Sequence, residues 1–180
     1  MELFNGRPES LEGRLRREVR VYDFLDALGI RYDRVDHEAA TTMAACEEVD
    51  HILGTYMCKN LFLCNRQKTR FYLLLMPGDK PFKTRELSAQ INSSRLSFAS
   101  PEEMERMLDC SPGSSSVLGL MNDAEHRVRL LVDRDLFGFE QFGCHPCINT
   151  SSLRMKTSDV FEKFIPSTGH EITEVTLIGE

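Results

Sequence analysis

The sequence predicts a mixed α/β fold in a single domain. Two short apolar runs, residues 59–64 and 71–76, flank a polar pentapeptide and are typical of a β-hairpin. Apolar residues recur at helical spacing between residues 10 and 28, and Ser100-Pro101-Glu102-Glu103 is a strong helix start. Because strands and helices are interspersed along 180 residues without an internal repeat, we expect them to form one domain.

The composition is that of an ordinary soluble globular protein, with 41% hydrophobic and 28% charged residues. No stretch approaches the roughly 20 apolar residues of a membrane span, and the N-terminus lacks the pattern of a secretory leader. We therefore expect a cytoplasmic protein without a membrane partner, whose six cysteines are reduced. The net charge of −6 argues against broad coating of nucleic acid but allows contact over a small patch.

Capping residues and hydrophobic periodicity set the boundaries of the other elements. Ser10 and Gly29 are expected to begin and end the first helix, and Thr41 or Thr42 to cap the second. The predicted helices are 10–28, 42–53, 85–91, 100–108 and one from Thr157 or Ser158 that stops before Pro166. The predicted strands beyond the hairpin are 30–35, 95–99, 126–133, one that ends at Met155, and 174–178.

Lys59 begins the first hairpin strand. Because side chains alternate along a strand, Lys59 points to the same face as Leu61, whereas Asn60 points to the opposite face. A desolvated ammonium at the mouth of an apolar face is unfavourable unless it finds a counter-charge. The simpler alternative is that Lys59 packs its aliphatic stem and leaves its amine in water.

Three cations follow the second hairpin strand, after the turn at Pro77-Gly78-Asp79. They are Lys80, Lys83 and Arg85, and the last lies at the start of a predicted helix. Since this segment follows the strand that pairs with Lys59, we predict that these cations hold a phosphate near the same site.

Residues 111–116 form a loop of small residues that contains Gly113. Backbone amides around a glycine can approach a ligand closely, because no Cβ stands in the way. A plain surface connection is the alternative.

The run Cys144-His145-Pro146-Cys147 suggests metal or redox chemistry but lacks the context for either. A zinc site would need a second ligand pair, and a redox motif would need a helix after it, where a strand is predicted instead. We therefore predict no metal and no cofactor. His145 alone is a candidate hydrogen-bond partner near neutral pH, with a histidine bonded to local backbone as the alternative. Motifs for a serine nucleophile, a P-loop or a zinc protease are absent from the sequence.

Four motifs occur in a characteristic order over nearly the whole chain, from about residue 15 to 177. They are Lys59-Asn60-Leu61-Phe62, Arg95-Leu96-Ser97-Phe98-Ala99-Ser100-Pro101-Glu102-Glu103, Pro112-Gly113-Ser114 through Gly119-Leu120-Met121-Asn122-Asp123, and His145-Pro146-Cys147-Ile148-Asn149-Thr150. Each alone is weak, but the ordered set resembles the YbaK and prolyl-tRNA synthetase associated editing family, above all its freestanding Ala-tRNA(Pro) deacylases. The resemblance implies a curved mixed β-sheet flanked by helices, and hydrolysis of the ester between alanine and proline tRNA.

The resemblance also implies roles for individual residues. By motif match, the family's lysine falls on Lys59, its asparagine on Asn60, its small-residue loop on Gly113 onward and its histidine on His145. We expect Lys59 to anchor the substrate and stabilise developing negative charge, amides near Gly113 to donate hydrogen bonds, and His145 to shape the pocket. The expected substrate-binding residues are Asn60, Ser114, Ser115, Asn149, Lys80, Lys83 and Arg85.

One position departs from the pattern of many relatives, which have a proline four residues after the loop glycine. Here that position is Val117, which leaves the rigidity of the loop and the size of the pocket open. The implied chemistry needs no protein nucleophile. Because an aminoacyl ester is already activated, a positioned water, a polarised carbonyl and the substrate's own ribose hydroxyl can suffice.

The implied partner is the acceptor end of a mischarged tRNA, and a transient contact with prolyl-tRNA synthetase is compatible with it. A small cavity would act as a second sieve, since a synthetase gains only about 1–3 kcal/mol of discrimination per methylene. Two alternatives stay open. One is a different substrate, such as Cys-tRNA(Pro) or serine- or threonine-charged tRNA, and the other is a non-catalytic tRNA-binding or regulatory module. The sequence does not set the oligomeric state.

Overall fold

The computed structural model describes residues 1–179. In chain order the strands and helices are β1 (Leu3–Asn5), α1 (Arg16–Ala27), β2 (Tyr32–Asp36), α2 (Met43–Leu53), β3 (Lys59–Cys64), β4 (Phe71–Met76), α3 (Thr84–Gln90), β5 (Ser97–Phe98), α4 (Pro101–Leu108), β6 (Val128–Asp133), β7 (Gln141–Cys144), β8 (Ser151–Lys156), α5 (Thr157–Asp159, continued by Val160–Phe164 and Ile165–Thr168) and β9 (Ile172–Val175). Short 3₁₀-helices occupy Val117–Asn122 and Arg134–Gly138.

The mixed α/β fold is confirmed. The strands form two sheets, however, where the resemblance implied a single sheet. One is antiparallel, in the order β1-β2-β8-β7, and the other is mixed, in the order β5-β3-β4-β6-β9. The sheets meet just before β3, where Met57 bridges Gly143 and the N–H of Cys58 donates to the Gly143 carbonyl at 3.0 Å. A side chain on Gly143 would place Cβ 2.9 Å from the carbonyl oxygen of Tyr56, so this junction needs glycine.

The predicted hairpin is confirmed, with Lys59 opposite Met76 and Cys64 opposite Phe71. Alternation along β3 sends its side chains into two hydrophobic clusters. Phe62 joins the larger cluster, whereas Leu63 joins the smaller one beneath α3. All six residues of β4 are buried, because the strand is covered on both faces. The hairpin therefore lies between the two hydrophobic clusters and contributes side chains to both.

Local capping chemistry explains the helix starts that the sequence predicted. The Thr42 hydroxyl accepts a hydrogen bond from the Ala45 N–H at 3.2 Å, and that of Ser100 accepts one from Glu103 at 3.1 Å. The first helix starts later than predicted, at Arg16, because Ser10 caps only a turn, accepting from Glu12. No helix within residues 1–179 is both long and apolar enough to cross a membrane.

The C-terminal elements correct two further predictions. The last helix passes Pro166 and ends at Thr168. A π-helical turn precedes the proline, which then lies in the first turn of a new α-helical segment, where its missing N–H is not needed. The final strand is Ile172–Val175, earlier than predicted, because it pairs in parallel with β6 from Leu130 onward.

Lys80 ties the turn after β4 to the far edge of the mixed sheet. Its ammonium donates to Asp133 at 2.7 Å, to Asp135 at 2.6 Å and to the Leu177 carbonyl at 2.7 Å. Burial opposes the charge, but the hydrogen bonds to the two aspartates outweigh it and raise the pKa of Lys80. Because Asp133 is fully buried, this cation neutralises a charge that has no contact with water.

Replacement of Lys80 by methionine should destabilise the fold by about 3 kcal/mol, because it leaves the buried Asp133 carboxylate without its cationic partner. Chemical denaturation of both proteins measures the change. The matched control is Lys83→Met, an exposed lysine three residues on, which should shift the free energy of unfolding by less than about 0.5 kcal/mol. Equal stability of the two variants would contradict the structural role of Lys80.

Candidate active site

Two adjoining cavities meet at Gly113 and His145, which line both of them. The cavity beside α4, here the α4 chamber, has a volume of about 380 Å³. The cavity beside α2, here the α2 chamber, has a volume of about 410 Å³. The α4 chamber is also lined by residues that include Asn60, Phe62, Phe98, Pro101, Pro112 and Ser115. The α2 chamber is also lined by residues that include His37, Asp50, Met57, Gly78, Asn149 and Ser152.

The loop around Gly113 presents unused hydrogen-bond donors to this junction. Gly113 has a φ of +80°, a left-handed conformation that favours glycine. The N–H groups of Gly113 and Ser115 donate to no group within residues 1–179, and the buried Ser115 hydroxyl likewise has no partner there. Ser114 is different, because its hydroxyl donates to the Ser111 carbonyl at 2.7 Å and braces the loop from inside.

Asn60 holds this loop against β3. Its side-chain NH₂ donates to the Cys58 carbonyl at 3.1 Å, and its side-chain oxygen accepts a hydrogen bond from the Val117 N–H at 2.7 Å. Asn60 is 8% exposed, so both bonds are shielded from water. A proline at position 117 could not donate this bond. The departure at Val117 therefore supplies the contact that fixes the Asn60 side chain.

His145 lies in the turn that follows β7, and its imidazole is positioned by β8. Its Nδ1 lies 2.7 Å from the Ser151 carbonyl. Because a carbonyl only accepts, the proton is on Nδ1 and the lone pair is on Nε2. Burial lowers the pKa of His145, and nearby His37 acts in the same direction, against the raising effect of the bond to Ser151. The side chain is therefore a neutral hydrogen-bond acceptor at pH 7.

His37, at the end of β2, is a site residue that sequence reasoning missed. Its ring centroid lies 6.3 Å from that of His145, and its Nε2 lies 2.8 Å from the hydroxyl of Ser152. The antiparallel pairing of β2 with β8 brings these residues together. A lone histidine between a strand and a helix carries no motif, so no local signal could have found it.

Asn149 stands on the other side of the loop glycine. A Cβ added to Gly113 would lie 3.5 Å from the Asn149 side-chain nitrogen, so the two residues are in contact range. Asn60, Gly113, Ser115, His145 and Asn149 are thus the predicted site residues that the structure gathers around one junction.

The predicted cations lie outside this junction. Lys59 lines neither chamber, and its ammonium donates to the Lys80 carbonyl. Lys80 is held by Asp133 and Asp135, as described above, and so is not a free phosphate ligand. Lys83 and Arg85 are exposed at the start of α3. The structure therefore separates a cationic edge from the chambers.

The cysteines near the junction are protonated thiols at neutral pH. Burial raises the pKa of Cys58 to about 11 and also raises that of Cys144. A hydrogen bond with Cys110, together with burial, raises the pKa of Cys147. Since the thiolate is the nucleophile and the metal ligand, these groups are poorly suited to either role. Within the described part of the chain, no group of three or more histidine, cysteine or acidic side chains is arranged to hold a metal ion.

The chain is similar in sequence to known proteins. The profile of the aminoacyl-tRNA editing domain family matches residues 37–163, which include every residue of the junction. The prolyl-tRNA editing protein ProX of Acetoanaerobium sticklandii is 29% identical over 153 residues, covering 85% of this chain and 93% of that protein. The prolyl-tRNA synthetase associated domain-containing protein 1 of Danio rerio is 30% identical over 159 residues. The match covers 87% of this chain and 84% of the Danio rerio protein.

Solved structures share the fold. One, described as a candidate trans-editing enzyme for prolyl tRNA synthetase, superposes with a TM-score of 0.66 over 91% of this chain and 98% of that one. The sequence identity between the two is 17%, so this likeness shows a shared fold and nothing about function.

The tautomer and the lowered pKa of His145 can be measured by nuclear magnetic resonance. We expect the ring of His145 to carry its proton on Nδ1 and to titrate below the ordinary value of 6.5. Because the folded-state pKa is lowered, protonation favours the unfolded state, and His145 should reduce stability as the pH falls below 6.5. A titration midpoint at or above 6.5, or a proton on Nε2, would contradict this assignment.

Proposed function

Since the chain belongs to the aminoacyl-tRNA editing domain family, we propose that it hydrolyses the ester of a mischarged tRNA, with Ala-tRNA(Pro) as its preferred substrate. The observation that carries the proposal is the junction of the two chambers. There the loop of Gly113 and Ser115, whose N–H groups are unpaired within residues 1–179, lines the same space as His145, whose Nε2 has no hydrogen-bond partner in that part of the chain.

The junction suits an ester whose two halves occupy the two chambers. The carbonyl oxygen would accept from the N–H groups of Gly113 and Ser115, which stabilise the negative charge that develops when water adds to the carbonyl carbon. The Nε2 lone pair of His145 can accept a hydrogen bond from that water or from the ribose hydroxyl. The bond between the carbonyl carbon and the ribose oxygen then breaks, and the ribose oxygen takes up the proton that the added water gives up. No covalent enzyme intermediate is needed, in keeping with the protonated state of the nearby cysteines.

Lys59 supplies positive charge to the edge of this site. Its ammonium pairs with a backbone carbonyl and with no carboxylate of residues 1–179, so its charge is not neutralised. With the exposed Lys83 and Arg85 it forms a cationic edge, to which we assign contacts with the tRNA backbone. Lys59 also begins the strand that carries Asn60, so the cationic edge and the junction share one strand.

The names of the relatives support proline tRNA as the substrate. One is named for prolyl-tRNA editing and another for association with prolyl-tRNA synthetase. We assign the protein to the cytoplasm, where charged tRNA is used, with a transient contact with that synthetase. A synthetase for proline cannot readily refuse the smaller alanine. We therefore propose that this protein separates the two amino acids by side-chain size.

A panel of charged tRNAs, tested on the parent protein and on Lys59→Ala, examines this proposal. The parent should hydrolyse Ala-tRNA(Pro) faster than Cys-tRNA(Pro) or serine- and threonine-charged tRNA, and should spare Pro-tRNA(Pro). Loss of the Lys59 charge should lower kcat/KM for Ala-tRNA(Pro) by about tenfold or more, since a charged contact to substrate is removed.

The matched control is Lys163→Ala, which removes an exposed lysine on α5 and should change kcat/KM less than twofold. A Lys59 variant within a few-fold of the parent would refute the role of Lys59. Binding of tRNA without ester turnover by the parent would refute the enzymatic function and favour a binding module.

A further inference from the structure

Asp50 is a carboxylate without a cationic partner that lines the α2 chamber. One of its oxygens accepts a hydrogen bond from the Met57 N–H at 3.3 Å, and no lysine or arginine of residues 1–179 pairs with it. Other half-buried aspartates in this fold are neutralised, as Asp33 is by Arg154 and Asp36 by Arg14. Burial raises the pKa of Asp50 and the nearby charge of Glu47 adds to this effect, against the lowering effect of the Met57 N–H.

The α4 chamber has the opposite character. Its lining contains no lysine, arginine, aspartate or glutamate. Phe98 lies at its edge with 63% of its surface exposed, and Pro101 and Pro112 add further apolar surface. Exposed aromatic rings beside an apolar cleft are the platforms on which nucleic-acid bases stack.

An aminoacyl ester has two unlike halves joined at its carbonyl. On one side the α-carbon carries an ammonium, and on the other side the ester oxygen leads to the ribose and the adenine base. An ammonium in the α4 chamber would find no counter-charge, whereas in the α2 chamber it would meet an unpaired carboxylate. The chemistry of the two linings therefore distinguishes the two orientations.

We propose that Asp50 binds the α-ammonium of the substrate in the α2 chamber, with the terminal adenosine in the α4 chamber against Phe98. This assignment rests on the proposed function, since it presumes an aminoacyl ester at the junction of Gly113 and His145. Asp50 thereby selects esters of amino acids over esters of uncharged acids.

The test compares two esters of the same proline tRNA, one of alanine and one of lactate, in which a hydroxyl replaces the ammonium. Asp50→Asn keeps the shape of the side chain and the acceptor for the Met57 N–H, and removes only the charge. We expect the variant to lose tenfold or more in kcat/KM for the alanyl ester and less than threefold for the lactoyl ester. Equal losses on both esters, or no loss on either, would overturn the assignment.

Two further variants sharpen the result. Glu48→Gln removes the same charge from an exposed position on the same helix that does not line the α2 chamber, and it should leave both esters within twofold of the parent. Phe98→Ala should raise KM for both esters alike, because adenosine is common to them, while Phe98→Tyr restores it. An unchanged KM in Phe98→Ala would overturn the placement of the adenosine.

Binding measurements keep this inference separate from the proposed function. If the parent hydrolysed neither ester, the proposed function would fail. The affinities of non-hydrolysable 3′-amide analogues of alanyl- and lactoyl-adenosine would then decide the role of Asp50. The assignment predicts that Asp50→Asn weakens the alanyl analogue selectively, and equal weakening or no weakening overturns it.

Discussion

The hydrogen bond from the Val117 N–H to the Asn60 side chain is the constraint on which the site depends. It joins two segments that lie 57 residues apart in the chain, a strand of the mixed sheet and the loop that carries the unpaired donors. A loop rich in glycine and serine is flexible by itself, whereas a strand within a sheet is rigid. The bond to Asn60 therefore restricts the motion of the loop. Without it, the loop would be held by the bonds from Ser114 to the Ser111 carbonyl and from the Ser111 N–H to the Cys147 carbonyl.

At the junction of the two chambers, the residues around Gly113 and His145 carry no strong charge. His145 is neutral, its proton held on Nδ1 by the Ser151 carbonyl, and the buried thiols of Cys58 and Cys144 are protonated. In such surroundings, preorganised dipoles stabilise a developing oxyanion more effectively than they would in water. The chamber beside α2 adds one carboxylate, and the cations lie at the outer edge of the hairpin. The carboxylate thus lies where we propose that the α-ammonium binds, and the cations lie where we propose that the tRNA backbone binds.

The parts of the fold that the sequence predicted are those whose cause is local. The hairpin follows from two apolar runs, and the starts of α2 and α4 follow from the hydroxyls of Thr42 and Ser100. Alternation correctly separated Lys59 from Asn60 but could not tell which face would carry the site. It carries Asn60, because the Gly113 loop packs against that face.

What the sequence did not predict depends on contacts between distant segments. β1 and β7 have only three and four residues and exist because each pairs with a neighbouring strand. His37 reaches the site through the pairing of β2 with β8, and the contacts of Lys80 depend on two aspartates more than 50 residues away. None of these partners is marked by spacing in the chain. The resemblance located Gly113 and His145, but their meeting at two chambers emerges only from the folded structure.

Hydrogen exchange at the Val117 amide measures whether Asn60 holds the loop that carries Gly113 and Ser115. We expect slow exchange at Val117 in the parent protein and exchange at least tenfold faster in Asn60→Ala, with the amides of β4 unchanged. Equal exchange rates at Val117 in the two proteins would contradict it, because the loop would then be held by something other than Asn60.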